Sequence, residues 1–186
     1  MNTVLSLTIA ALAGLATWSF TEYCMHRFLG HACKGRNHFS REHLAHHTAP
    51  DYFAPTWQKA LFGLACVLAI VGVGQALLGF AIALSYGSGF ALSYGFYEWL
   101  HRRIHTHAPR NWYGKMVRKH HLSHHFTDAR QCHGVTSRVW DRVFRTHRPV
   151  DKVRVPRKLA TQWMVTDGGE MIENFSQSYV LVGRKR

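Results

Sequence analysis

Two apolar stretches interrupt an otherwise polar chain. Residues 4–20 carry no charge and are rich in Ala and Leu. At about 1.5 Å per residue this run approaches the ~30 Å hydrocarbon thickness of a bilayer. A signal peptide is the competing reading. Residues 1–3 contain no Lys or Arg, however, and the run passes into Glu22 and His26 without a cleavage site. A retained membrane helix is therefore expected. The second stretch, Ala60 to Tyr97, is 38 residues without a charge. As one straight helix it would run about 57 Å, nearly twice the bilayer core, so two spans joined by a turn are expected. Gly72-Val-Gly-Gln75, Gly79 and Gly87-Ser-Gly89 are the candidate turns. A very hydrophobic soluble core is the alternative for this run.

The pattern predicts an all-α integral membrane protein with about three transmembrane helices, over about 3–20, 57–76 and 78–98. Polar histidine regions cover 22–56 and 99–158, and residues 1–186 form one domain. Pro50 and Pro55 flank a loop returning to the membrane, and Trp57 fits an interfacial aromatic. A hairpin over 57–98 returns the chain to the side it left, so both polar regions face one compartment. Residues 100–158 hold fifteen Lys or Arg against three Asp, which assigns that face to the cytoplasm. A cytoplasmic helical cap follows, with helices expected over about 97–107 and 112–126. Gly168-Gly169 breaks the C-terminal part. Ser176 to Gly183 reads as a short strand or a surface helix.

Histidine changes this picture most. Fourteen of fifteen lie in two windows, 26–47 and 101–133, and none lies in 48–100. Residues three and four apart share a helix face. His43, His46 and His47 should point one way, and His121, His124 and His125 likewise. His101 and His105 form an i, i+4 pair. His26 and His31, five apart, diverge by about 140° on an ideal helix unless it loosens, and Gly30 sits where it could. These ten imidazoles exceed one tetrahedral zinc and suit two metals of four to six ligands each. Imidazole is compatible with Fe, Zn, Cu or Ni. His38 and His147 are read as ordinary polar residues; His107, His120 and His133 are left open. Glu22, Glu42, Glu98, Asp128 and Asp141 are candidates to accept the outer N–H of a ligating histidine, or else to neutralise nearby cations. Cys24, Cys33, Cys66 and Cys132 form no C-x-x-C pair, which argues against a zinc finger and a disulfide framework; Cys66 is expected as buried packing.

The order His26-x4-His31, His43-x2-His46-His47, His101-x3-His105, His121-x2-His124-His125 resembles the fatty acid hydroxylase/sterol desaturase superfamily. The segment Gly134-Val-Thr-Ser-Arg-Val-Trp140-Asp141-Arg-Val-Phe144-Arg-Thr146 looks like that family's tail motif. Together they look most like fatty acid 2-hydroxylases. The resemblance implies a membrane enzyme that uses O2 and two iron ions to hydroxylate or desaturate lipid chains. Zinc is possible in purified samples. The ten histidines are then the ligands. The implied location is a bacterial inner membrane, with the site facing the cytoplasm. The implied partners are a membrane lipid or fatty acyl substrate and a separate electron donor, such as a b-type cytochrome or ferredoxin. The cytochrome fused to some members of that family is not expected within these 186 residues. Arg145 stands where the tail motif has Gly, and His133 where Asn or an aromatic is usual.

A carotenoid ring hydroxylase or sterol-type oxidase shares the histidine order, and Trp140-Asp141 tilts the reading towards acyl lipids. A membrane metal-binding or transport protein predicts ionisable residues within the spans, and 60–97 has none. The formal net charge of +13 suggests nucleic acid, but the excess lies beside a membrane face, where anionic lipid accounts for it; no nucleic-acid partner is expected.

Overall fold

The computed structural model describes residues 2–184. Its helices are α1 (Thr3–Cys24), α2 (His38–Thr48), α3 (Thr56–Leu78), α4 (Phe80–Thr106), α5 (Trp112–Phe126) and α6 (Val139–Val143). A π-helix, Met25–Ala32, continues α1 directly. Two short strands, β1 (Val153–Pro156) and β2 (Tyr179–Val182), pair in parallel, with Val153 opposite Tyr179. The fold is mostly helical as expected, and this pair is its one departure from all-α among the described residues; β2 lies within Ser176–Gly183, where a short strand or surface helix is expected. Val153, Val155 and Tyr179 turn inward and are buried, which gives a four-residue strand the alternation it needs.

The chain divides into two compact units. The first holds residues through Glu22 together with Ala54–Trp99. Its helices meet through small residues. A Cβ at Gly14 would stand 2.0 Å from the Tyr86 carbonyl oxygen, and one at Gly89 would stand 2.0 Å from that of Ala11. The α1 and α4 backbones therefore touch, as small-residue helix interfaces allow. Ser85 Oγ donates to the Leu7 carbonyl at 2.7 Å and Tyr86 OH to Thr17 Oγ1 at 2.7 Å. Tyr94 lies over Gly63 and donates to the Lys59 carbonyl at 2.7 Å, and Lys59 pairs with Glu98. Outward, Leu61, Leu64, Leu68, Val73 and Leu77 are exposed. Polar groups inside and aliphatic groups outside is the arrangement suited to lipid.

The turn falls at Gly79, whose φ of +84° explains the glycine. Among the described residues, two helices are long and apolar enough to cross a membrane, the continuous run Thr3–Ala32 and Thr56–Leu78. α4 has the length, at 27 residues, but its Ser85, Tyr86, Ser88, Ser93 and Tyr94 make it more polar. The expected helix ends shift too. α1 runs past residue 20 into the π-helix that carries His26 and His31, and α4 runs past 98 and carries His101 and His105. Cys66 is only partly covered, since it lies on a helix with little packed around it.

The second unit holds Tyr23–Phe53 and the chain from Leu100 onward. Asn37 and Asn111 cap α2 and α5, accepting from Ser40 N–H at 2.7 Å and Gly114 N–H at 2.8 Å. Arg118 on α5 is buried. It donates to the carbonyls of Arg103 and His107 at 2.8 Å and of Gly114 at 3.1 Å. The bonds to Arg103 and His107 tie the C-terminal end of α4 to α5. Ile104, Val117, Leu122 and Met164 fill the core beside β1.

Candidate metal centre

The π-helix resolves the problem posed by His26 and His31. Hydrogen bonds to the fifth residue, such as Cys33 N–H to Phe28 O at 3.1 Å, bring residues five apart onto one face. Gly30 sits inside it, where a Cβ would stand 2.9 Å from the His43 ring.

The ten histidines gather into two groups of five, all in the second unit. His26, His31, His43, His47 and His124 form one; His46, His101, His105, His121 and His125 form the other. Within each group the donor atoms lie within 4.8 Å of one another. The expectation that each His-x-x-His-His run faces one point is corrected. Consecutive residues on a helix are 100° apart, so His46 and His47 must diverge. His43 and His47 join one group and His46 the other; His121 and His125 stay together while His124 crosses over.

Hydrogen bonding fixes which nitrogens face inward. His46 Nδ1 meets the Tyr52 carbonyl at 2.7 Å, His124 Nδ1 the Gln131 carbonyl at 2.7 Å, and His26 Nδ1 the His133 carbonyl. A carbonyl can only accept, so these three rings are protonated at Nδ1 and present a lone pair at Nε2. The lone pair of His124 faces His31 Nε2 at 2.8 Å and His47 Nε2 at 3.2 Å. His43 Nε2 lies 2.8 Å from His31 Nε2; in the other group His105 Nε2 lies 3.2 Å from His46 Nε2 and 3.0 Å from His121 Nε2. Two nitrogens bound at 2.1 Å to one ion and at right angles are about 3.0 Å apart. The spacing is that of a coordination shell. His26 Nε2 and both ring nitrogens of His125 are buried without a protein partner, as donors meant for an ion would be.

Electrostatics agrees. Burial, and then mutual repulsion with neighbouring histidines, pushes His43, His121, His124 and His125 well below the usual imidazole range. Burial takes His47 down to about 3. The rings are neutral at physiological pH, the form that ligates metal.

Around the groups, the residues left open by sequence find roles. Asp141 is fully buried and gathers four bonds: from the N–H groups of His133 and Gly134 at 2.8 Å, the Thr146 hydroxyl at 2.7 Å and His120 Nε2 at 2.9 Å. Burial opposes its charge, but the bonds from His120, Thr146 and Gly134 hold its carboxyl below the ordinary value. Asp141 thus fixes the loop whose His133 carbonyl aims His26. The other candidate acceptors differ. Glu42 takes the Tyr52 hydroxyl, Asp128 pairs with Arg130, and Glu98 with Lys59. The acceptors found on ligand-type rings are backbone carbonyls at 52, 131 and 133, which residue type cannot announce. A third cluster joins His120, Cys132 and His147, so His147 is not the isolated polar residue expected. Burial pushes the Cys132 thiol up to about 11.

Comparison with known proteins gives a consistent family. The fatty acid hydroxylase family model matches residues 11–146. The chain is 34% identical over 148 residues to the ceramide very long chain fatty acid hydroxylase scs7 of Schizosaccharomyces pombe, covering 75% of this chain and 42% of that one. It is 31% identical to a dihydroceramide fatty acyl 2-hydroxylase of Arabidopsis thaliana, covering 72% and 58%, and 28% identical to the fatty acid 2-hydroxylase of Homo sapiens, covering 74% and 39%. A solved structure described as full-length scs7p, with only the hydroxylase domain visible, superposes with a TM-score of 0.63 at 28% identity, covering 80% of this chain and 58% of that chain. The chain thus spans roughly two fifths to three fifths of the length of these relatives.

Proposed function

Because the chain belongs to the fatty acid hydroxylase family, we propose that it is a membrane-bound di-iron oxygenase that inserts a hydroxyl into a lipid acyl chain. The carbon next to the acyl carbonyl is the favoured position, as in the relatives named for 2-hydroxylation. The convergence of ten imidazoles into two groups of five carries the reading. The acyl-directed names of the relatives favour it over the carotenoid and sterol alternatives.

His26, His31, His43, His47 and His124 would hold one iron; His46, His101, His105, His121 and His125 the other. Iron bound there supplies redox chemistry with O2, which an unactivated C–H bond requires because it offers no acidic or carbonyl handle. The protein's own part is positional. Carbonyls of Tyr52, Gln131 and His133 keep three rings protonated at Nδ1 and donating from Nε2. Burial keeps the rings free of protons that would compete. Insertion of one oxygen atom consumes O2, two electrons and two protons, with the second oxygen leaving as water. The electrons come from a separate donor. α1 and α3 anchor the chain in lipid and α4 serves as a third span. The basic region over 100–158 faces the cytoplasm, where it can meet an anionic headgroup or the donor.

Lipid mass spectrometry of cells expressing the intact chain or His124→Ala tests this. Expected is one added oxygen on an acyl chain, labelled from 18O2, with the intact chain only. Loss of two hydrogens instead would mean desaturation. An unlabelled oxygen, or no change with inserted, iron-loaded and reduced protein, would overturn the proposal.

A further inference from the structure

The cluster outside the two five-histidine groups has its own chemistry. His120 lies on α5, Cys132 on the loop that follows, and His147 beyond α6. One donor atom of each lies within 4.8 Å of the others. We propose that His120, Cys132 and His147 form a third metal site, for a zinc-class divalent cation, distinct from the paired groups.

Ligand type comes first. A thiolate with two imidazoles is a borderline-soft set that suits zinc or cobalt and disfavours calcium or magnesium. His120 comes already oriented. Its Nε2 lies 2.9 Å from the buried Asp141 carboxylate, which can only accept. The proton therefore sits on Nε2 and the lone pair on Nδ1. A carboxylate behind a ligating imidazole is the usual support for a metal-binding histidine. His147 Nδ1 is buried without a protein partner. The Cys132 sulfur makes a long contact of 3.5 Å to the Arg148 carbonyl. The backbone holds the two distant ligands together, since Cys132 N–H donates to the Thr146 carbonyl at 2.8 Å.

The fourth position is open. His120 and His147 line a cavity of about 130 Å³, into which Lys119, Arg138 and Arg148 also face. A divalent ion with one thiolate keeps a single positive charge, and three cationic side chains would repel it. An anion or hydroxide from the cavity as fourth ligand removes that repulsion. Three protein ligands with an exchangeable fourth is a recognised zinc arrangement. Occupancy would clamp the loop at 132–134, whose His133 carbonyl meets His26 Nδ1. The site stands whatever the ten histidines hold.

Cobalt(II) added to the detergent-purified full chain tests it. The five-histidine groups contain no sulfur, so a near-ultraviolet thiolate-to-cobalt charge-transfer band reports this site alone. The band is expected in the intact protein and in a variant with Cys24, Cys33 and Cys66 changed to Ser. Cys132→Ser should abolish it and lower bound cobalt by one ion per chain. His147→Gln, at a less buried position, should weaken the band at least tenfold in cobalt affinity while the fold, followed by circular dichroism, is unchanged. A missing band in the intact protein, or a band surviving Cys132→Ser, overturns the proposal. Failure of the dimetal reading would look different: the band and its single cobalt would persist while the remaining cobalt was lost.

Discussion

At the scale of single residues, Asp141 illustrates how much can hang on one carboxylate. It touches none of the ten clustered histidines directly in the bonds described, yet it fixes His133, Gly134, Thr146 and His120 together. Asp141→Asn retains the shape and removes the charge that three donors and an imidazole N–H are arranged around. Stability is expected to fall by roughly 3 kcal/mol, as for other buried pairs that lose one partner. Metal bound by the His26 group should fall as well, because the His133 carbonyl loses its anchor. Thermal unfolding with metal analysis checks both. Wild-type metal content in a folded Asp141→Asn protein would break the link from the carboxylate to His26. This residue was visible in sequence only as one of five possible acceptors. What distinguishes it is full burial, which no local pattern conveys.

At the scale of elements, close backbone approach decides two sites. Gly14 on α1 meets the Tyr86 carbonyl with no room for a Cβ. Gly14→Ala should force the helices apart and cost about 1–3 kcal/mol, as overpacking does. Gly72 on α3 has nothing within 4 Å of its would-be Cβ. Gly72→Ala should be neutral or stabilise by about 0.5–1 kcal/mol through helix propensity. Unfolding of both variants in detergent makes the comparison; equal effects would mean that the α1–α4 contact does not hold. The π-helix gives a sharper case. Gly30→Ala places a methyl 2.9 Å from the His43 ring. His43 is then displaced, and metal analysis should show loss from its group while the His105 group stays loaded. Equal retention in both groups would count against the π-helix as the feature that admits His43.

At the scale of the whole molecule, metal and protons compete for the same buried nitrogens. Histidine in an unfolded chain protonates near pH 6.5, whereas His47 resists to about 3 and His43, His121, His124 and His125 are likewise depressed. Below about pH 6.5 the unfolded state binds more protons than the folded one, so stability falls as pH falls. The contribution is complete above that value and drains away as pH falls, for His47 down to about pH 3. Chemical denaturation of metal-stripped protein at stepped pH should show this slope. Saturating metal should raise the unfolding temperature most at neutral pH and progressively less in acid, since ligation requires neutral rings. A flat profile between pH 7 and pH 4 would show that the rings are not buried together.

Sequence by itself marked out two membrane-length helices, the turn region that includes Gly79, and the ten histidines that the fold brings together. Each rests on local physics: hydrocarbon length per residue, glycine's access to positive φ, and imidazole as a metal-competent donor repeated at helical spacing. It could not divide those ten residues. His46 and His47 are neighbours in the chain yet belong to different groups, because a helix turns 100° between them and α2 lies between two sets of partners. β2 falls within Ser176–Gly183, where sequence allowed a short strand, but β1 and the pairing were hidden, since four residues gain strand identity only from a partner over twenty positions away. The carbonyls of Tyr52, Gln131 and His133 were beyond sequence for a plainer reason. Every residue has a carbonyl, and only the folded chain selects which three meet a histidine.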